Sequence, residues 1–329
     1  MEKIVLMSKE DRKFIFTQTA IKLNMNPIII EKDFWICYVL DYIFNKSKFR
    51  NIFTFKGGTS LSKAYNVISR MSEDIDLILD WRILGIKETE PLEDRSKRQQ
   101  EIYNNKINEL ANKFIEKEIY EDLTQGFKHI KDLEIERDIK NQLINIYYPQ
   151  TITFENIGLL PCIRLEIGPL ASWTPAVDTE ITPYISNIIP GFNVSSTIVR
   201  TVSISRTFYE KLTILHREKN RADHKKMPPR YARHYYDVYK IYKSHYFEKI
   251  ILERELLEKV TNFKIKFYND NWAKYNDILI DKISLVPNDY RIKEIEQDYK
   301  AMKEMLIGDI PSLDEIIKAL HELELIINK

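Results

Sequence analysis

Two aspartates, Asp74 and Asp76, stand one residue apart in the apolar run "DIDLIL". Because strand side chains alternate between two faces, both carboxylates would lie on one face, with Ile75 and Leu77 on the other. Two adjacent carboxylates repel each other, and burying them uncompensated is costly. Mg²⁺, which prefers one or two carboxylates together with substrate phosphates, would resolve that conflict. An exposed edge strand with a solvated acidic face is the alternative interpretation.

Two adjacent glycines, Gly57 and Gly58, precede these acids in a chain that has only 8 glycines. Glycine reaches positive φ and lets the backbone approach a ligand closely. The amides and dipole at a helix start favour a phosphate, to which Thr59 and Ser60 could add hydroxyl donors. A tight turn is the simpler explanation of such a pair. The helix is predicted from apolar residues at helical spacing, Leu61, Ala64, Tyr65 and Ile68.

A third carboxylate, Glu166, lies on another predicted strand between Leu165 and Ile167. The order strand, Gly-Gly turn, helix, strand would return the aspartates beside the helix start. Three acids and a phosphate site suit two-metal nucleotidyl transfer, in which one metal activates an acceptor hydroxyl and the other holds the triphosphate and the leaving pyrophosphate. Arg70, three residues before Glu73, either faces the triphosphate or closes the helix end.

Composition sets the broad class. The 329 residues favour two domains, and 44% hydrophobic with 30% charged residues is ordinary for a soluble globular protein. No apolar run reaches the ~18 to 20 residues that cross a bilayer, so no membrane association is expected. Cys37 and Cys162 are too few for a disulfide framework or a zinc site, which indicates a reducing cytoplasm.

The spacing of apolar residues predicts the approximate order of helices and strands along the chain. Residues 14–44 are predicted to be helical with a break at Pro27, and residues 51–55 to form a strand. Further strands are predicted in "NQLINIYYP" and "CIRLEIG". The charged stretch 88–114 predicts an inserted helix, and residues 174–192, with three prolines, are predicted to be irregular.

Helix dominates from Ser205 onward. The predicted fold class is therefore α+β, with an α/β-type core and a mixed β-sheet followed by a mainly α-helical C-terminal domain. The predicted domains are residues 1–205 and 206–329.

Net charge is +1, so bulk electrostatics do not indicate a nucleic-acid binder. Residues 216–240 are locally rich in Lys, Arg and Tyr. They form either a solvated loop and helix face or a phosphate-contacting surface with aromatic stacking partners.

Gly-Gly followed by Asp-x-Asp resembles the nucleotidyltransferase superfamily with the DNA polymerase β-like fold. The 15 residues between Gly58 and Asp74 (59–73) exceed the usual spacing there. The fuller string "KGGTSLSKAY…ISRMSEDIDL" is similar to the AbiEii/AbiGii toxin family, where this spacing is normal. Four further segments agree with that family: "EKDFW" from Glu31, "RLEIG" from Arg164, "SRTFYEKLTILH" from Ser205 and "RHYYDVY" from Arg233.

This resemblance implies a nucleotidyltransferase (EC 2.7.7) that acts as the toxin of a type IV toxin–antitoxin or abortive-infection (antiviral defence) system. It implies an NTP substrate, Mg²⁺ with Mn²⁺ as the alternative, and a polymerase β-like core behind N-terminal helices in residues 1–205. Some members add nucleotides to the tRNA 3′ end, which makes RNA, and tRNA in particular, the expected acceptor. A cognate antitoxin encoded nearby is implied, and its direct contact with the toxin stays open.

The resemblance also implies roles for individual residues. Asp74 and Asp76 would be metal ligands, joined by Glu166. Lys211 would contact the NTP and Asp237 would be catalytic or supporting, both brought to the cleft by the C-terminal domain. The predicted phosphate-binding residues are Lys56, Gly57, Gly58, Thr59, Ser60 and Arg70.

Without the resemblance, Lys211 is predicted to be an exposed helical lysine. Asp237 lies four residues after Arg233 and three before Lys240, so a surface ion pair explains it equally well. Two alternative functions also stay open. One is nucleotidylation of a protein acceptor, either the chain itself or a partner; the other is a nucleotide-binding module without turnover.

Overall fold

The computed structural model describes residues 1–139, 142–153, 159–186, 188, 194, 196–268 and 270–329. The chain forms two compact units. The first consists of Met1–Tyr65, Met71–Asp94 and Ile102–Val202. The second consists of Asn66–Arg70, Arg95–Glu101 and Ser203–Lys329.

One mixed sheet organises the first unit, and seven strands of the described residues build it in the order β3-β4-β5-β2-β1-β7-β6. Strands β2 and β5 are parallel, as are β1 and β7, whereas the other neighbours are antiparallel. The strands are β1 Phe53–Lys56, β2 Asp74–Leu79, β3 Glu134–Asp138, β4 Leu143–Tyr147, β5 Ile163–Gly168, β6 Ala176–Ile181 and β7 Thr197–Val202.

The predicted helical break at Pro27 is present. Pro27 is the first residue of α3, where its missing N–H costs nothing because the first amides of a helix lack internal partners. The α-helices are α1 Glu2–Val5, α2 Lys9–Leu23, α3 Pro27–Asp41, α4 Gly57–Lys63, α5 Lys97–Phe114 and α6 Tyr120–Phe127. Shorter π and 3-10 segments are Tyr42–Lys46, Trp81–Leu84, Glu90–Leu92 and Ile115–Ile119.

Three predictions about these elements need correction. Helix α4 ends at Lys63 and does not reach Ile68, because the chain turns at Asn66, whose φ is +50°. The inserted helix begins at Lys97 instead of residue 88. Residues 174–192 are not irregular throughout, since β6 lies among them and pairs along its whole length with β7. Residues 187 and 189–192 of that stretch lie outside the described residues.

Apart from a single β-bridge at Leu306, the regular structure among the described residues of Ser203–Lys329 is helical. Together with the mixed sheet, this confirms the predicted α+β class. No helix in the described ranges is both long and apolar enough to span a bilayer. The helices are α7 Ile204–Lys219, α8 Ala232–Tyr242, α9 Phe247–Leu252, α10 Glu255–Phe267, α11 Tyr275–Ile278, α12 Asp289–Met302 and α13 Leu313–Ile327, with 3-10 turns at Asn271–Ala273 and Lys303–Met305.

Candidate active site

Three charged residues lie in one row across neighbouring strands of the first unit. Lys56 at the end of β1 is paired with Asp76 of β2, and Asp76 is paired with Glu166 of β5. Residues paired in register project from the same face of a sheet, so the lysine lies on one side of Asp76 and the glutamate on the other. The Asp76 and Glu166 side chains are therefore neighbours on one face of the sheet. The ladder thus joins two carboxylates that are far apart in the sequence.

Gly57 brings the start of α4 directly against this row. Its φ is +81°, a conformation that L-residues with a Cβ rarely adopt. A Cβ at this position would stand 1.8 Å from Oδ2 of Asp76, far inside van der Waals contact. Position 57 therefore requires glycine for two reasons, the positive φ of the backbone and the closeness of the Asp76 carboxylate. Of the two predicted aspartates, Asp76 lies against the glycine bend, as expected.

The electrostatics of Asp76 favour a bound proton or cation. Burial raises the pKa of Asp76 to about 7; the negative charges of Glu166 and Asp74 raise it as well, and the positive charge of Lys56 opposes them. Near neutral pH, a cation bound beside Asp76 would therefore favour the ionised form of its carboxyl. Paired carboxylate oxygens are hard donors that suit Mg²⁺ or Mn²⁺. Asp76 and Glu166 therefore fit the implied metal.

Asp74, the other predicted ligand, is engaged elsewhere. Its Oδ1 accepts a hydrogen bond of 2.7 Å from Nε of Arg164, and its Oδ2 accepts one of 2.9 Å from Nη2. The two residues are partners in the β2–β5 ladder. In the part of the chain that the structure describes, no three His, Cys, Asp or Glu side chains are grouped to hold a metal. Two of the three predicted ligands, Asp76 and Glu166, are thus paired in the ladder, whereas Asp74 is bound by Arg164. The sequence analysis did not identify Arg164 as a candidate site residue.

The hydroxyls predicted to bind phosphate donate within the protein. Thr59 Oγ1 donates to the backbone carbonyl of Asp74, and Ser60 Oγ donates to the carbonyl of Gly57 at 2.8 Å. Both side chains are fully buried. Thr59 therefore ties the start of α4 to β2, and Ser60 bonds within α4.

An open cleft of about 740 Å³ contains the row of charges. Its floor includes Lys56, Asp76, Arg164 and Glu166, on the three central strands β1, β2 and β5. One wall is provided by β4 residues, among them Asn145, and by residues just before β5. This volume is within the ~300 to 1,000 Å³ range typical of small-molecule sites.

Three consecutive charged residues of α3, Glu31, Lys32 and Asp33, are buried beneath the site. Lys32 Nζ lies 2.6 Å from Oε2 of Glu73, the residue before β2. Asp33 Oδ1 lies 2.6 Å from Nζ of Lys63, the last residue of α4. The helix thus braces both elements that carry the site. Sequence reasoning noted "EKDFW" only as a family likeness, although three charges inside an apolar helix were a readable signal of buried pairing.

In the second unit the structure brings together three further predicted residues, Arg70, Lys211 and Asp237. Asp237 accepts two hydrogen bonds of 2.8 Å from the Arg70 guanidinium, and its Oδ2 lies 2.8 Å from Nζ of Lys211. All three are buried, so the alternatives of an exposed lysine and a surface ion pair are wrong.

Burial and neighbouring charges shift the pKa values of this cluster. Burial opposes ionisation of Asp237, yet the two cations hold its pKa far below the usual range. Burial, with Arg70 and Arg233 nearby, lowers the pKa of Lys211 despite the attraction of Asp237. His234 likewise has its pKa lowered, by burial and then by Lys211 and Arg233.

The basic stretch 216–240 is partly neutralised by its own unit. Arg217 pairs with Asp270 at 2.6 Å, and Arg221 pairs with Glu218 at 2.8 Å. Tyr235 and Tyr236 are buried and cannot stack on bases. The lysines at 225 and 226 are exposed. The loop lysines are therefore among the residues of this stretch that could contact phosphate.

One family profile matches most of the chain. The sequence profile described as nucleotidyl transferase AbiEii toxin, type IV TA system, matches residues 38–319. No curated protein sequence matches. Among solved structures, the chain is similar to MenT4, a nucleotidyltransferase toxin from Mycobacterium tuberculosis H37Rv, at 15% identity and a TM-score of 0.44, covering 96% of this chain and 97% of that one. It is also similar to JHP933 from Helicobacter pylori at 14% identity and a TM-score of 0.35, covering 92% and 97%.

Proposed function

Because this chain belongs to the AbiEii nucleotidyl transferase toxin family of type IV toxin–antitoxin systems, we propose that it transfers a nucleoside monophosphate from an NTP to the 3′ end of tRNA. This transfer would block aminoacylation and stop growth. The observation that carries the proposal is the close approach of Gly57 to the carboxylate of Asp76, whose partner in the β2–β5 ladder is Glu166.

Each residue of the row has a role in this chemistry. Asp76 and Glu166 would hold a divalent ion, Mg²⁺ or Mn²⁺, which when bound supplies charge stabilisation and a more acidic acceptor hydroxyl. Lys56 places a positive charge beside the carboxylates, and the amides of Gly57 and Gly58 would receive a phosphate. The bend keeps Cβ atoms away, so that phosphate oxygens and backbone can approach closely.

The cluster in the second unit extends the proposal to Lys211 and Asp237. We retain the NTP contact for Lys211 and a supporting role for Asp237, which fixes the ammonium group through an ion pair of 2.8 Å. Arg70 shares that carboxylate. A buried lysine held by one carboxylate is preorganised and loses little entropy when it meets a phosphate.

The decisive test is transfer of label from an α-³²P-NTP to purified tRNA. Asp76→Asn should lower the rate by more than about 1,000-fold, because the ion loses a carboxylate that shapes its site. Asp178→Asn is the matched control, since Asp178 is an exposed aspartate on β6 of the same sheet. Full activity of Asp76→Asn would reject the proposed site.

The acceptor is tested separately. RNA as acceptor is supported by the exposed loop lysines, because phosphate contacts dominate nucleic-acid affinity. Lys225→Ala with Lys226→Ala should weaken tRNA binding and lower the slope of log affinity against log salt by about 1 to 2. A control pair, Lys259→Ala with Lys318→Ala, removes equal charge from exposed positions of α10 and α13. Label that resists ribonuclease and runs with protein would favour the protein acceptor instead.

Cellular context completes the proposal. Cys37 and Cys162 are free and buried, which suits a reducing cytoplasm. We propose a cognate antitoxin encoded nearby. Expression should arrest growth, and Asp76→Asn should relieve the arrest, as should the antitoxin when expressed together with the toxin.

A further inference from the structure

The Arg164–Asp74 pair uses every oxygen of a carboxylate that the proposed chemistry needs. Nε and Nη2 of the guanidinium each meet a different carboxylate oxygen, at 2.7 and 2.9 Å. Such a fork is the strongest geometry that an arginine forms with a carboxylate. A divalent ion therefore has to displace, or share Asp74 with, a charge that is already in place.

Arg164 is also placed where substrate would come. It lines the cleft beside Asp76 and Glu166, and its side chain is 24% exposed while that of Asp74 is 15% exposed. The pair is open to solvent at the cleft and is not sealed in the core. The same planar fork that fits a carboxylate fits a phosphate, so the guanidinium has a second partner of matching shape in any NTP.

The charge balance makes the exchange reciprocal. Without metal, Asp76, Glu166 and Asp74 face Lys56 and Arg164. If a divalent ion took over Asp74, Arg164 would be left without its carboxylate and beside a cation. A bound triphosphate would give Arg164 a new anionic partner and would also offset the positive charge of the ion. Metal and NTP should then bind with positive coupling, because each releases Arg164 for the other.

We propose that Arg164 is an exchangeable cation: it holds Asp74 in the metal-free protein and moves to the NTP phosphates when a divalent ion binds Asp74 beside Asp76. The inference rests on the proposed function. It assigns Arg164 as a residue that couples metal loading to substrate binding, and it accounts for a metal site that is only half assembled.

Mn²⁺ binding, followed by electron paramagnetic resonance of free Mn²⁺, tests this without turnover. The full chain is titrated with and without a non-hydrolysable NTP analogue. Arg164→Gln should tighten Mn²⁺ binding in the absence of the analogue by about tenfold, since one charge-assisted fork no longer competes. It should weaken analogue binding about tenfold and abolish the increase in Mn²⁺ affinity that the analogue causes in the unchanged protein.

Controls separate the inference from the proposed function. Asp76→Asn should lose Mn²⁺ binding; if it does not, or if the unchanged protein binds no Mn²⁺ even with the analogue, the proposed metal site is wrong. If Asp76→Asn does lose Mn²⁺ while Arg164→Gln leaves both affinities unchanged, only the role of Arg164 is overturned. Arg200→Gln, an exposed arginine on β7, should change nothing.

Folding of the variant is checked by circular dichroism. Should Arg164→Gln fail to fold, Arg164→Lys keeps the charge but loses the fork, and it should retain part of the coupling with a Mn²⁺ affinity between the other two. Coupling equal to that of the unchanged protein in Arg164→Lys would show that the fork geometry is not needed and would contradict the exchange.

Discussion

The Cα of Gly57 faces the carboxylate of Asp76 so closely that a methyl group would lie 1.8 Å from Oδ2. The contact joins the start of α4 to the centre of β2. It ties the phosphate-binding prediction to the metal-binding prediction through one pair of residues.

Gly57→Ala should therefore damage the site more than backbone strain alone. Gly85 supplies the matched comparison, because its φ of +78° is nearly the same and a Cβ there meets nothing within 4 Å. Gly85→Ala should cost about 1 kcal/mol of unfolding free energy. Gly57→Ala should cost about 2 to 4 kcal/mol and abolish transfer. Urea denaturation and the tRNA-labelling assay measure both; equal effects of the two variants would contradict the steric account.

The raised pKa of Asp76 predicts a pH-dependent stability. The folded-state pKa of about 7 exceeds the unfolded value near 4, so the folded state binds more protons between these pH values and loses stability as pH rises through that window. Asp76→Asn should stabilise the metal-free protein by about 1 to 3 kcal/mol more at pH 8 than at pH 5. Thermal unfolding at the two pH values measures it. An Asp76→Asn effect independent of pH would mean that the carboxyl titrates normally.

A divalent ion should offset the loss of stability that ionisation of the Asp76 carboxyl causes at high pH. At pH 8, Mn²⁺ should raise the unfolding temperature of the unchanged protein, because binding to the folded state alone stabilises it. Asp76→Asn should respond much less. An equal response would place the ion elsewhere.

The Lys32–Glu73 pair should behave as a brace of β2. Lys32→Met leaves a buried carboxylate without its cation and should cost about 3 to 5 kcal/mol, whereas Lys32→Met with Glu73→Gln should recover a large part of that loss. Lys13→Met, at an exposed position of α2, should have almost no effect. A double-mutant cycle in urea measures the coupling, and additive losses would show that the pair is not coupled.

Substitution of Asp237 should mainly lower the free energy of unfolding, whereas substitution of Lys211 should mainly lower the transfer rate. Asp237→Asn removes the buried carboxylate that Arg70 and Lys211 share and should cost about 3 to 5 kcal/mol. Lys211→Met leaves Asp237 with Arg70, so its stability loss should be smaller, while transfer should fall by more than about 100-fold if the ammonium group meets the NTP. Lys249→Met, exposed on α9, is the control. Activity that falls only in proportion to the folded fraction would make the cluster purely structural.

Local signals were sufficient for much of the site. Alternation in "DIDLIL" placed Asp74 and Asp76 on one face, and the run around Glu166 marked a second strand. The pair of glycines marked a helix start. These inferences need only the periods of strand and helix, which neighbouring residues determine.

The partners of these residues depended on long-range register. Arg164 meets Asp74 because β2 and β5 pair in parallel, and no local pattern specifies that alignment. The β6 strand was missed because prolines mark both ends of its segment, while its pairing with β7 is decided by tertiary context. Burial of Lys211 likewise follows from the packing of α7, which composition alone does not reveal.

The parallel ladder of β2 and β5 makes the spacing of Asp76 and Glu166 independent of the chain between them. The chain between Leu79 and Ile163 leaves this ladder and returns to it, so that Asp76 and Glu166 stay in step whatever lies between. That excursion also supplies β4, a wall of the cleft. A change of length in this excursion would alter that wall, while the pairing of Asp76 with Glu166 would stay the same.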